Sequence, residues 1–217
     1  MTRVNSNGRE KAFQRHFSVM SCASLIAPFT LVVCFLLYPN GCSGQQTSEE
    51  PSSKIVILKQ RHILEFHQNG KPVRTYRVCL GLNPLGSKRV TGDAKTPEGE
   101  YFICYKNAAS RFHRFLGISY PSAADAQTAF ESGLISLDKR DYIVNTLRTG
   151  KAPPWDTTLG GWVGIHGYPS DENERKWVTL LYPKPDDWTD GCIAMWDFEI
   201  EELFSKVSLG TPVIISP

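Results

Sequence analysis

A mainly β domain with a few short helices, behind an N-terminal transmembrane or signal segment, is the fold class that this 217-residue sequence predicts. Three observations predict it. From residue 54 onward, short runs rich in Val, Ile and Tyr recur between turn residues. Residues 17–38 carry no charge and are long enough to cross a bilayer, which takes about 20 apolar residues. Between these two regions, residues 39–53 are polar and poor in large apolar side chains, the composition of a flexible linker that cannot offset its ordering entropy by burial.

The N-terminal segment 1–16 contains Arg3, Arg9, Lys11 and Arg15, and most of the formal charge of +2 arises there. So small an excess argues against a nucleic-acid partner. A basic cluster just before an apolar run keeps the N-terminus inside and sends the rest out through the membrane. Two readings of 17–38 stay open. It is an uncleaved anchor, favoured by its length, or a signal peptide cut before a lipidated Cys42. The preceding Pro39-Asn40-Gly41 offers only its small residue in support of lipidation.

The domain at 54–217 begins with KIVILK (54–59) and HILEFHQ (62–68), then Asn69-Gly70 at a tight turn and PVRTYRVCLG (72–81), a meander. GEYFICYK (99–106) and TPVIIS (211–216) add strands. Helices are expected at 122–132, behind a plausible cap, and at 197–207, where apolar residues fall at helical spacing. Residues 134–161 show no strong period and are expected to include loop bordering a site. Of six cysteines, Cys22 and Cys34 lie in the apolar run and Cys42 at its exit, so no disulfide framework is implied. Cys79 and Cys104 either pair or are buried as small apolar residues; burial is preferred because disulfide geometry is exacting.

The chemistry concentrates in 162–195, where WVGIHGYPS precedes DDWTDGCIAM. Cys192 follows Gly191 and precedes an apolar pair, so a turn can hold its sulfur near backbone N–H groups of Asp190 to Cys192, donors that suit a tetrahedral oxyanion. His166 ends an apolar strand and Gly167 lets the chain turn there; an imidazole so placed can take a thiol proton. From spacing alone, nucleophilic catalysis and inert packing both remain open for this pair.

Other residues read more plainly. His62, His67 and His113 show no ligand spacing and are expected as surface groups, with no metal. Asp186, Asp187 and Asp190 are expected to be solvated, Asp190 raising a neighbouring thiol's pKa. Trp155, Trp162, Trp177 and Trp188 offer either stacking surfaces or core packing; Trp162 is assigned to packing and Trp188 is left open. The stretch TGDAKTPEG lacks phosphate-loop spacing, so no nucleotide site is expected.

These residues, together with the Leu-Gly at Gly81, KTPEG (95–99), GISYP (117–121), the IHG triplet (165–167) and GTPVII (210–215), resemble the YkuD-like L,D-transpeptidase catalytic domain family. The resemblance is strongest in an HG histidine followed by Thr189-Asp190-Gly191-Cys192-Ile193, in the WTDGCIA variant. It implies a β-sandwich-like catalytic fold with the site in a groove, along which Gly167, Trp188 and Thr189 are placed. Cys192 is then the nucleophile, attacking a peptidoglycan stem peptide at the L-centre of its third residue, and Gly191 and Asp190 support the oxyanion. The terminal D-alanine leaves, and His166 serves as base for an incoming amine of unknown source, its other ring nitrogen held by a backbone carbonyl. The resemblance also implies no metal or cofactor and a location in the bacterial envelope. An L,D-carboxypeptidase, an amidase and a non-catalytic peptidoglycan-binding module stand as alternatives.

Overall fold

The computed structural model describes residues 52–181 and 187–217. The apolar segment 17–38, Cys42 and nearly all of the expected linker lie outside them. Among the described residues no helix is long and apolar enough to cross a membrane.

The chain opens as expected with an antiparallel meander of β1 (Ser53–Leu58), β2 (Ile63–Gln68) and β3 (Lys71–Arg77). In β1 alternate residues Ile55 and Ile57 face inward, opposite Phe66 and Leu64 of β2, and all four are fully buried. The β2–β3 turn needs two consecutive left-handed residues, which Asn69 (φ 50°) and Gly70 (φ 75°) supply. Between β1 and β2 a single 3-10 turn, Lys59–Arg61, places the Lys59 ammonium inside the protein. Its three donors are all used, by the carbonyls of Gly86 (2.7 Å) and Thr96 (3.0 Å) and by the carboxylate of Glu98 (2.7 Å). The ammonium thereby ties the long loop after β3 to the sheet.

β4 (Gly99–Ser110) runs four residues past its expected end and forms a hairpin with β5 (His113–Ile118). The C-terminal strand β8 (Pro212–Ser216) inserts between β1, to which it is parallel, and β4, to which it is antiparallel. Two short strands, β6 (Gly164–His166) and β7 (Ile193–Ala194), complete the order β3-β2-β1-β8-β4-β5-β6-β7.

The expectation of a β-sandwich is corrected here: the eight strands form one curled sheet rather than two packed ones. Beyond β3 the chain crosses to the opposite edge, where Cys79 exchanges two backbone hydrogen bonds of 2.8 Å with Ala194 and Gly81 bridges to Thr189. The two edges are thus joined around a core that includes Leu64, Phe66, Leu80, Ile103, Leu116 and Ile193.

Among the described residues four helices flank the sheet. α1 (Ala123–Glu131) starts at a capping box between Ser122 and Asp125, and α4 (Asp197–Lys206) buries Ile200 and Leu203 on the core, both where the sequence predicts helix. Two helices are unexpected. α2 (Leu137–Arg148) occupies part of the stretch 134–161; it is capped by Ser136 and fully buries only Ile143, in a small cluster with Ala126 and Ala129 of α1. α3 (Glu172–Leu181) buries no residue at all. The apolar residues of α3, Trp177, Val178, Leu180 and Leu181, are confined to its last turns and none of them is buried.

Cys79 and Cys104 are not joined in a disulfide; Cys79 is buried, and Cys104 is half-buried with its thiol donating to the Gly117 carbonyl at 3.5 Å. The three histidines expected at the surface are half-buried and paired with carboxylates: His62 with Asp187, His67 with Glu65 and His113 with Glu201.

Candidate active site

His166 ends β6 between Phe115 of β5 and Ala194 of β7, and is 2% exposed. Its Nδ1 lies 2.7 Å from the carbonyl oxygen of Gly167. A carbonyl can only accept, so Nδ1 carries the proton and Nε2 is left with its lone pair. The ring is held by Phe112 at 4.5 Å between centres and by Trp188, edge-on at 5.8 Å. Burial pushes the imidazole pKa down to about 4, against the pull of the Gly167 carbonyl; the nearby Arg111 charge lowers it further.

Gly167 itself is walled in. A Cβ there would stand 2.6 Å from Asp197 Oδ1, an oxygen that accepts the Tyr168 N–H at 2.8 Å. Its N–H donates to the Phe112 carbonyl. Gly167 therefore fixes the histidine from behind and does not line the groove.

Cys192 sits on a turn strapped to the chain beyond β3. The N–H groups of Trp188 and Thr189 both donate to the Leu80 carbonyl, and the Asp187 carboxylate accepts the Leu80 N–H at 2.6 Å. Asp187, expected to be solvated, is thus 12% exposed and structural; Asp190 is exposed, and Asp186 lies outside the described residues. Thr189 closes the turn: its hydroxyl donates to the Cys192 carbonyl at 2.7 Å and accepts the Gly191 N–H at 3.1 Å. The Gly191 N–H is therefore engaged within the turn, which moves the expected oxyanion donors to the neighbouring N–H groups of Asp190 and Cys192. Gly191, at φ +126°, is needed because the turn meets another backbone: a Cβ there would stand 2.4 Å from the Lys95 carbonyl oxygen.

The Cys192 thiol donates to the Trp162 carbonyl at 3.5 Å. Burial raises its pKa to about 11; a hydrogen bond from the Gly164 backbone opposes that rise, and the Asp190 charge reinforces it. Thiol and imidazole are therefore both neutral at pH 7. Two cavities, of about 440 Å³ and about 290 Å³, share His166, Cys192, Arg111 and Phe112 in their walls. The larger extends past Trp188 and Thr189 to Trp177 of α3, the smaller past Tyr105 and Trp162.

Trp162, expected as a packing residue, is 59% exposed and holds a left-handed φ of 56° that a bulky side chain rarely adopts. Its ring centre lies 4.2 Å from that of Trp155, with the planes tilted by 51°, and it meets Tyr105 edge-on; it walls the smaller cavity. Sequence reasoning also missed Arg111, Phe112 and Glu174. The first two lie at the tip of a hairpin whose second strand was not foreseen, and Glu174 lies on the unforeseen α3. Among the described residues no three His, Cys, Asp or Glu side chains stand together as a metal site.

The sequence matches the YkuD family, the L,D-transpeptidase catalytic domain, over residues 52–215. YafK of Escherichia coli (strain K12), whose own assignment as an L,D-transpeptidase is provisional, is 26% identical over 129 residues, 49% of this chain and 52% of YafK. The chain thus spans about half the length of the curated relatives it matches. Among solved structures, a variant of the helical cell shape determining protein Pgp2 from Campylobacter jejuni superposes with a TM-score of 0.50 at 21% identity, over 76% of this chain and 47% of that one. Unsubstituted Pgp2 gives 0.49 at 22% identity over the same shares. At these identities the likeness is one of fold.

Proposed function

The chain belongs to the L,D-transpeptidase catalytic domain family, and on that premise we propose that it is a cysteine acyltransferase of the bacterial envelope acting on peptidoglycan stem tetrapeptides. The observation that carries the reading is the hydrogen bond from His166 Nδ1 to the Gly167 carbonyl. It leaves Nε2 as a base in a groove whose walls also contain Cys192.

In the first half-reaction the Cys192 sulfur bonds to the carbonyl carbon of the third stem residue, at its L-centre, as the thiol proton passes to His166 Nε2. The neutral resting pair favours proton transfer together with attack rather than a preformed thiolate. The oxyanion that forms faces the Cys192 and Asp190 N–H groups. Collapse breaks the amide C–N bond, and the imidazolium returns its proton to the leaving D-alanine nitrogen, giving a thioester. In the second half-reaction an amine attacks the thioester, Nε2 takes its proton, and the departing sulfur recovers that proton as the new amide forms. Two cavities meeting at one cysteine suit a donor and an acceptor that approach from different sides. The acceptor amine belongs to a second stem, a protein lysine or a free D-amino acid.

The test is incubation of the full chain with a disaccharide-tetrapeptide, with protein and products read by mass spectrometry. An adduct on Cys192 with dimeric products supports the transferase, and its absence in Cys192→Ala assigns the nucleophile. An adduct yielding only tripeptide makes the protein an L,D-carboxypeptidase. No adduct and no product directs attention to an amidase or to a non-catalytic peptidoglycan-binding module.

A further inference from the structure

We propose that Arg111 forms a carboxylate-binding subsite of the groove, holding an anionic end of the donor stem peptide while Cys192 and His166 act on its amide. The proposal rests on the stem-peptide reading given above and specifies how the donor is recognised.

Arg111 is the only cation lining either cavity that borders Cys192 and His166, among the described residues. The other charged groups there, Glu174 and Asp190, are acidic and repel a carboxylate from the rest of the larger cavity. The position of Arg111 is set by the backbone at the tip of the β4–β5 hairpin. Its carbonyl accepts the Ser170 N–H at 2.7 Å, and the adjoining Phe112 carbonyl accepts the Gly167 N–H at 3.0 Å. The hairpin tip is thus pinned to the chain that leaves His166.

The guanidinium lies over the Phe112 ring, 4.7 Å from its centre, and that ring lies 4.5 Å from the imidazole. One aromatic ring therefore separates the cation from the base. The present partner of Arg111, Glu174, is 3.4 Å away, and both side chains are mostly exposed. Such a pair contributes at most about 1 kcal/mol and exchanges readily for another carboxylate, which the planar fork of arginine can bind through two hydrogen bonds. A bound carboxylate would also offset the charge that disfavours imidazolium, so donor binding would ease removal of the thiol proton.

A tetrapeptide donor offers such a group beyond the scissile amide, on the terminal D-alanine. A diamino acid with a second carboxyl offers another on its side chain. The full chain is assayed on a disaccharide-tetrapeptide and on two analogues, one amidated at the D-alanine carboxyl and one at the side-chain carboxyl. The wild type should lose about 10- to 100-fold in kcat/KM on one analogue, which identifies the carboxylate held, the size expected of a hydrogen bond to a charged group. In Arg111→Gln that discrimination should collapse towards 1, mainly through KM on the natural donor, and Arg111→Lys should restore part of it. Glu174→Gln, which removes the competing carboxylate, should lower KM for the natural donor a few-fold. Discrimination that persists in Arg111→Gln, or a wild type indifferent to both amidations, overturns the subsite and leaves the transferase reading standing. A wild type that forms no Cys192 adduct with any donor overturns both.

Discussion

Gly191 and Lys95 meet backbone to backbone: a methyl group on Gly191 would stand 2.4 Å from the Lys95 carbonyl oxygen, with φ already at +126°. The turn presenting Cys192 and the loop of residues 94–96 therefore fit together because position 191 has no side chain. Gly191→Ala should lower stability by about 2–4 kcal/mol, the range for a left-handed glycine combined with a clash. It should also change the rate of Cys192 alkylation by iodoacetamide at least tenfold, since the turn must shift. A variant with the wild-type urea midpoint and labelling rate would refute the close fit.

Stability should fall with acidity through His166. Its folded pKa, about 4, lies below the unfolded value of 6.5. Between those values the unfolded chain binds the proton and the folded one does not. The contribution is thus fully present above pH 6.5 and is lost as pH falls towards 4, by about 3 kcal/mol. Urea unfolding at pH 7, 5.5 and 4 should show this slope in the wild type and a shallower one in His166→Gln. Parallel profiles would contradict the burial assigned to the ring.

The carboxylate of Asp190 helps hold the Cys192 thiol at about 11. Asp190→Asn removes that charge, so more thiolate should be present at a given pH and iodoacetamide labelling at pH 8 should accelerate several-fold. The midpoint of the labelling profile should move to lower pH. An unmoved profile would place Asp190 too far from the sulfur to matter.

Lys59 bonds the Gly86 and Thr96 carbonyls and Glu98 from a position 3% exposed. Lys59→Met would leave those acceptors facing an apolar chain. The expected loss is about 3–5 kcal/mol, the scale for breaking a buried pair, and the loop it anchors is the one that meets Gly191. Thermal unfolding should register a clear drop in Tm; a change within a degree or two would show that water replaces the ammonium.

Where local chemistry decides local structure, the sequence was readable. The alternation of Ile55 and Ile57, the Asn69-Gly70 turn, and Ser122 with Asp125 three residues later each specify their element without help from elsewhere. β5 was missed because HRFLGI is buried along most of its length and shows no period of two. α2 and α3 escaped because one buries a single residue fully and the other none. At the site, both the family resemblance and the chemical types of Cys192 and His166 were visible, whereas the walls around them were not. Arg111, Trp162 and Glu174 come from three separate segments that only the fold brings to the groove.

The sequence by itself determined the strand-rich character of the domain, its family and the residue types able to do acyl-transfer chemistry, because these depend on short-range pattern and motif order. Tertiary structure decided that the strands make one curled sheet, since the Cys79–Ala194 and Gly81–Thr189 bridges join segments more than a hundred residues apart. It also decided which polar groups are buried. Lys59 and Asp187 look like surface residues in the sequence and are internal because distant backbone groups satisfy them, while Trp162 looks like core and stands exposed. Burial, and with it the opposite pKa shifts of His166 and Cys192, depends on what packs around a group, which no local stretch of sequence encodes.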